Sequence, residues 1–185
     1  MFRYLSLFFT ALVLSSCSSV SKQDCSQLDW REQGIKDGEE GRRSTYFLQH
    51  ALKCIESPDN IQYVSGRNEG LKLFCTRYGG FQEGLRGMTY LGQCGAFKSE
   101  AKFKVAHELG LDAYRQGEEN LEKERKIKEL ERKISSEFHS GDDLNDLKFD
   151  KSILEKDLAR GKLFYKELMD KAKSRRYLLR PNKEN

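Results

Sequence analysis

The spacing of apolar and polar positions divides the chain into three stretches. Residues 5–14 form an apolar run broken only by Ser6 and Thr10, and residues 18–27 that follow are polar and small. From Asp29 to Gly95 aromatic residues recur ahead of glycines at helical spacing. Trp30 precedes Gly34, Gly38 and Gly41; Tyr63 precedes Gly66 and Gly70; Phe81 precedes Gly84 and Gly87, with Tyr90 beyond. Intervals of three and four place those glycines on one helix face. A glycine inside a helix costs about 1 kcal/mol relative to alanine, so its repeated use there predicts backbones packed closely against each other. The pattern predicts short helices near 29–42, 44–55, 60–77 and 80–92.

Beyond Gly95 glycine thins out and the logic changes. Leu121, Ile127, Leu130, Ile134 and Phe138 make a narrow apolar stripe. Glu119 with Lys123, Glu122 with Lys126, Glu124 with Lys128 and Glu129 with Lys133 flank it as acid-first i,i+4 pairs, each worth about 0.2–0.5 kcal/mol to a helix. Ser140-Gly141-Asp142-Asp143 reads as a stop followed by an N-cap. A second stripe then runs through Leu147, Ile153, Leu154, Leu158, Tyr165, Leu168 and Ala172. Two such helices joined by a short turn predict an antiparallel hairpin, with pairing between chains as a coiled coil the alternative. The expected class is therefore all-α: a small helical domain over 28–117, a charged hairpin over 118–180, and a disordered tail at 181–185.

The N-terminal run is too short for a membrane-spanning helix, which needs roughly 20 apolar residues. It has a basic start at Arg3 and ends in Leu14-Ser15-Ser16-Cys17, small residues before a cysteine as a cleaved export signal requires. This resembles the lipobox after which signal peptidase II cuts. The resemblance implies a signal over residues 1–16, acylated Cys17 as first mature residue, and 17–27 as a lipidated tether. Ser18 stands where the inner-membrane retention signal has Asp, which implies the outer membrane, facing the periplasm.

Charge and cysteines narrow the classes. Thirty-three basic and 29 acidic residues leave +4 overall, too little to point to nucleic acid, and export argues against it further. With Cys17 assigned to lipid, Cys25, Cys54, Cys75 and Cys94 remain. An even count in an exported chain predicts two disulfides, with three possible connectivities. Cys25 with Cys54 is preferred because the pair flanks two short helical segments that fold back on each other, leaving Cys75 with Cys94. The spacings lack the close cysteine pairs of a zinc site.

The residues also carry a family resemblance. Asp24-Cys25, Asp29-Trp30, Gly34, Asp37-Gly38, Gly41, His50, Cys54, Tyr63, Gly66-Arg67, Glu69-Gly70-Leu71, Cys75, Gly80-Phe81, Gly84, Gly87, Tyr90, Gly92 and Cys94 are similar to the signature of the bacterial family called domain of unknown function 2799, over roughly residues 24–120. Gln93, Gly95 and the short segment from Ser57 to Asn60 depart from its pattern. The family occurs on small exported proteins and lipoproteins, and the resemblance implies no activity.

Candidate chemistry is sparse. Neither His50, His107 nor His139 sits in a metal or triad arrangement; His50, four residues before Cys54, reads as a part-buried histidine beside a disulfide. Asp37, Arg67 and Glu69 could cluster between the glycine-bearing helices as a binding groove, although an ion pair is the commoner use of such groups. Lys171, Lys173, Arg175, Arg176, Arg180 and Lys183 make the tail basic. The expectation is an outer-membrane lipoprotein acting as a non-enzymatic interaction or structural module. It needs no cofactor or metal, and its partner is a periplasmic protein, an envelope polymer or a second copy met through the C-terminal helices. The alternative is a small envelope enzyme or ligand carrier using Asp37, Arg67 and Glu69.

Overall fold

The computed structural model describes residues 24–136 and 141–180; Cys17, Phe138, His139, Ser140 and Lys183 lie outside them. Six helices follow in order: α1 Trp30–Glu39, α2 Tyr46–Ala51, α3 Asn60–Phe74, α4 Arg77–Leu85, α5 Glu100–Ser135 and α6 Gly141–Ser174. Every regular element among the described residues is helical, as the pattern predicts.

Local chemistry sets the helix ends. Asp29, Asp59 and Thr76 each turn a side-chain oxygen onto the third amide beyond, at 2.9, 3.0 and 3.1 Å, satisfying donors that the first helical turn leaves free. Gly41 (φ 67°) and Gly87 (φ 70°) lie just past the ends of α1 and α4 in the left-handed region, where a side chain is strained. Two expected boundaries are corrected by these devices. The helix placed at 60–77 ends at Phe74, because Thr76 is extended and caps a new helix. The helix placed at 80–92 becomes 77–85, stopped by Gly87.

The glycines do what their spacing predicts. A Cβ on Gly34 or Gly38 would strike the backbone carbonyl of Tyr63 or Arg67 on α3, and one on Gly70 would strike the carbonyl of Ile35 on α1. Here α1 and α3 pack backbone to backbone. In the same way, Gly80 and Gly84 of α4 face the carbonyls of Phe103 and His107 on α5, and Gly110 faces that of Phe81.

These two pairs repeat one plan. Adding 46 to Gly34, Gly38 and Gly41 gives Gly80, Gly84 and Gly87; adding 40 to Tyr63, Gly70, Leu71 and Phe74 gives Phe103, Gly110, Leu111 and Tyr114. Gly41 abuts the Phe74 ring as Gly87 abuts the Tyr114 ring. The amides of Gly41 and Arg42 bond the carbonyls of Gly38 and Asp37 at 3.0 and 2.8 Å, and those of Gly87 and Met88 bond Gly84 and Glu83 at 2.8 and 3.0 Å. Cys54 and Cys94 also correspond. The first pair is six residues longer between glycine turn and cysteine, thirteen positions against seven, and this stretch contains α2.

Disulfides join Cys25 to Cys54 and Cys75 to Cys94, each with Cα atoms 5.5 Å apart, which is the preferred pairing. Each staples one cluster: Trp30, Cys54 and Tyr63 with Phe47 around the first, and Leu71, Phe74, Cys75, Cys94 and Phe103 around the second. The second cluster joins α3 to α5 and so links the two pairs.

The hairpin is one with the domain. α5 runs 36 residues without a break past residue 117, the expected end of the small helical domain. Its first half is domain core through Phe103, Ala106, Leu109 and Ala113; Leu168 and Ala172 of α6, with Tyr177 just beyond its end, pack onto the last three of these and Phe81. Arg176, at φ 60°, reverses the chain so that Tyr177 turns inward; part of the basic tail is thereby folded. Along the hairpin the stripe is shifted: Ile127 is buried, but Leu121 is exposed and Asn120 is buried in its stead, beside Gly161, where a Cβ would strike the Asn120 amide. Ile153 is exposed as well. Glu122–Lys126 and Glu129–Lys133 form as expected, at 3.7 and 2.8 Å. Glu124 instead reaches Lys162 on α6 at 2.8 Å, and Lys151 of α6 reaches Glu131 at 3.0 Å.

Candidate functional site

The most concentrated polar chemistry surrounds Asp37. Its position, between Gly34 and Gly38 on the face that α1 presses against α3, buries the carboxylate. A buried carboxylate must be satisfied by donors, and three supply them. Gln33 Nε2 donates to Oδ1 at 3.2 Å, the Tyr63 hydroxyl donates to Oδ2 at 2.7 Å, and His50 Nε2 lies 2.8 Å from the same oxygen. Each comes from a different place: Gln33 one turn back on α1, Tyr63 from the first turn of α3, and His50 from α2. The His50 ring is held edge-on by Tyr46 and Trp30, at centroid distances of 5.1 and 6.4 Å.

Electrostatics follow from this packing. Burial, together with the bond given to Asp37 and the negative charge there, raises the Tyr63 phenol above its ordinary value, so it stays a donor across the physiological range. Burial lowers the Arg67 guanidinium from its ordinary value.

The three side chains that the sequence suggests as one groove do not share a site. Arg67 gives Nε and Nη2 to the Arg42 carbonyl, at 3.0 and 2.5 Å, clamping the turn that follows α1. In the second helix pair His107 performs the same service, with Nε2 2.7 Å from the Met88 carbonyl. Glu69 pairs with Arg31 on the exposed flank of α3 and α1. Only Asp37 belongs to the buried cluster.

Gln33, His50 and Tyr63 are the partners that sequence reasoning missed. Gln33 stands four residues before Asp37, a legible helical neighbour. Tyr63 and His50 reach it only through tertiary packing. The second pair lacks the cluster, since Phe103 stands in place of Tyr63 and Glu83 in place of Asp37, with Arg86 as its ion partner.

Surface clefts lie elsewhere among the described residues, and two of them adjoin the glycine-packed pairs. One of about 310 Å³ is lined by Glu39, Tyr78, Gln82, Glu83, Arg86 and Arg180. The other, about 560 Å³, is lined by Tyr90, Lys104, His107, Glu108, Tyr114 and Arg115. Asp37, Arg67 and Glu69 line neither. Among the described residues no three His, Cys, Asp or Glu side chains converge as metal ligands would, and no helix is long and apolar enough to cross a membrane.

No curated protein and no solved structure matches the chain. Residues 29–112 match the family described as "Protein of unknown function (DUF2799)". That span opens at the N-cap of α1 and closes within α5, so it takes in both glycine-packed pairs and leaves out the hairpin. The match covers 84 of the chain's 185 residues, and over that span the chain is similar to that family.

Proposed function

We propose that this chain is an outer-membrane lipoprotein whose helical domain serves on the periplasmic side as a non-enzymatic interaction or structural module. The observation that carries this reading is how the cysteines are used. Four of five are consumed in two intramolecular disulfides, bonds that persist in oxidising compartments, and the one left over is Cys17, behind an apolar run and small residues. Acyl chains on that sulfur anchor a chain stably, since each buried methylene contributes about 0.8 kcal/mol. The non-enzymatic reading is supported by the Asp37 cluster, whose groups bond one another across α1, α2 and α3. The hairpin offers a long charged surface to a periplasmic protein, an envelope polymer or a second copy.

Cys17→Ser tests the anchor. The variant is expected to lose metabolic palmitate labelling and to leave the membrane pellet for the soluble fraction. Labelling that persists in C17S overturns the reading.

A further inference from the structure

The Cys25–Cys54 end of the domain carries large apolar side chains turned to solvent. Leu52 is 75% exposed, Ile55 65% and Ile61 84%. Leu28 is exposed too, in a turn whose amide bonds the Cys25 carbonyl at 3.0 Å. Leu52 and Ile55 lie two residues before and one after Cys54, Leu28 lies three after Cys25, and the disulfide holds the two cysteines 5.5 Å apart, Cα to Cα; Ile61 stands in the first turn of α3, which also carries Tyr63 of the disulfide's cluster. Grouped exposed apolar residues mark contact surfaces, whereas scattered ones mark nothing.

The duplicated plan supplies an internal comparison. At the corresponding places of the second helix pair, Ile55, Ile61 and Val64 are Gly95, Ala101 and Lys104. At those places the same backbone is built with small or charged residues, and the second pair exposes Met88, Leu91 and Val105 at other positions. Folding does not require the large side chains of the first pair.

What lies opposite them is set by chain length. Cys25 is eight residues from Cys17, and eight residues reach at most about 28 Å when fully extended and about 16 Å as a flexible coil. We infer that Leu28, Leu52, Ile55 and Ile61 form a membrane-contact face, seated in the headgroup boundary of the phospholipid bilayer that holds the acyl chains of Cys17. This rests on the lipoprotein reading above. The anchor raises the local concentration of bilayer at this face, so a few side chains suffice where a free protein would need many. Lys53, between Leu52 and Cys54, has a stem long enough to keep its ammonium at the headgroups. Docked this way, the domain holds a fixed attitude to the membrane.

The test uses the full chain bearing Leu52→Trp or Ile55→Trp, with Ala101→Trp as the control at the place corresponding to Ile61. Palmitate labelling is scored first. Labelled protein is then reconstituted into vesicles of phosphatidylethanolamine and phosphatidylglycerol with brominated acyl chains. Emission from L52W and I55W is expected to fall by about half, because a face seated about 5–10 Å into the boundary meets the bromines, while A101W is unchanged. Equal, weak quenching at all three positions in labelled protein overturns the membrane face and leaves the anchor standing. Absence of palmitate overturns both.

Discussion

Tyr63 and Phe103 occupy the same place in the two helix pairs and differ by one oxygen, which in the first pair is bound to a buried carboxylate. Tyr63→Phe is therefore a change that the second pair already tolerates, except that it removes a donor from Asp37. Hydrogen bonds to charged groups contribute about 1.5–3 kcal/mol, and denaturant unfolding at pH 8 should show a loss of that size. The pH dependence has a definite sign. The folded phenol titrates above its ordinary value, so its contribution is complete below about pH 10 and is lost as pH rises through the folded value. The difference between wild type and Y63F should narrow above about pH 10; a difference that widens there would contradict this account. The glycines divide as sharply. Gly38→Ala drives a Cβ into the Arg67 carbonyl and should cost about 1–3 kcal/mol through overpacking. Gly117→Ala meets only the edge of the Tyr165 ring at 3.6 Å and should stabilise by up to about 1 kcal/mol, a contrast that thermal melts of the two variants would read directly.

At the scale of elements, what could be read in advance was what local rules determine. Glycine intervals announced that helices would meet backbone to backbone, though not that α1 would pair with α3 and α4 with α5, and even cysteine count with short intervening helices announced the disulfide pairing. The break at Thr76 was hidden inside a continuous helical pattern, because a single capping hydroxyl decided it. The shift from Leu121 to Asn120 was equally hidden: it depends on Gly161 of the facing helix admitting an amide. Asp37, Arg67 and Glu69 looked like neighbours because glycines surround them all, but Arg67 and Glu69, two residues apart on α3, fall on different faces of that helix, and Asp37 on α1 meets neither. Arg67 turned to a carbonyl and Glu69 to solvent. The docking of α6 yields a further expectation. Leu168→Ala empties a buried position against Ala106, Leu109 and Ala113 and should cost about 2–5 kcal/mol. Helical circular dichroism should then show a lower midpoint for one cooperative transition, with no separate melting of the hairpin. By contrast, breaking Glu124–Lys162 should change stability by under about 1 kcal/mol, since exposed pairs contribute little.

Across the whole molecule the two disulfides are unequally protected. Cys75 and Cys94 are 1% and 0% exposed, whereas Cys25 is only part-buried. Exchange requires a thiolate to reach a sulfur, so stepwise reduction followed by alkylation and mass mapping should find Cys25–Cys54 opened first. Opening it should leave the second cluster intact, because Leu71, Phe74 and Phe103 do not depend on it. Cys94→Ala with Cys75→Ala, which removes the staple between the two pairs, should cost about 2–4 kcal/mol.

A helix of 36 residues is about 54 Å long, and in α5 the first half is interior while the rest stands clear with α6 beside it. No joint divides the two halves. A partner that grips the far end of α5 therefore holds a handle on the entire protein: twisting it rotates the glycine-packed bundle, and any pull is delivered along a single rigid shaft into the domain core.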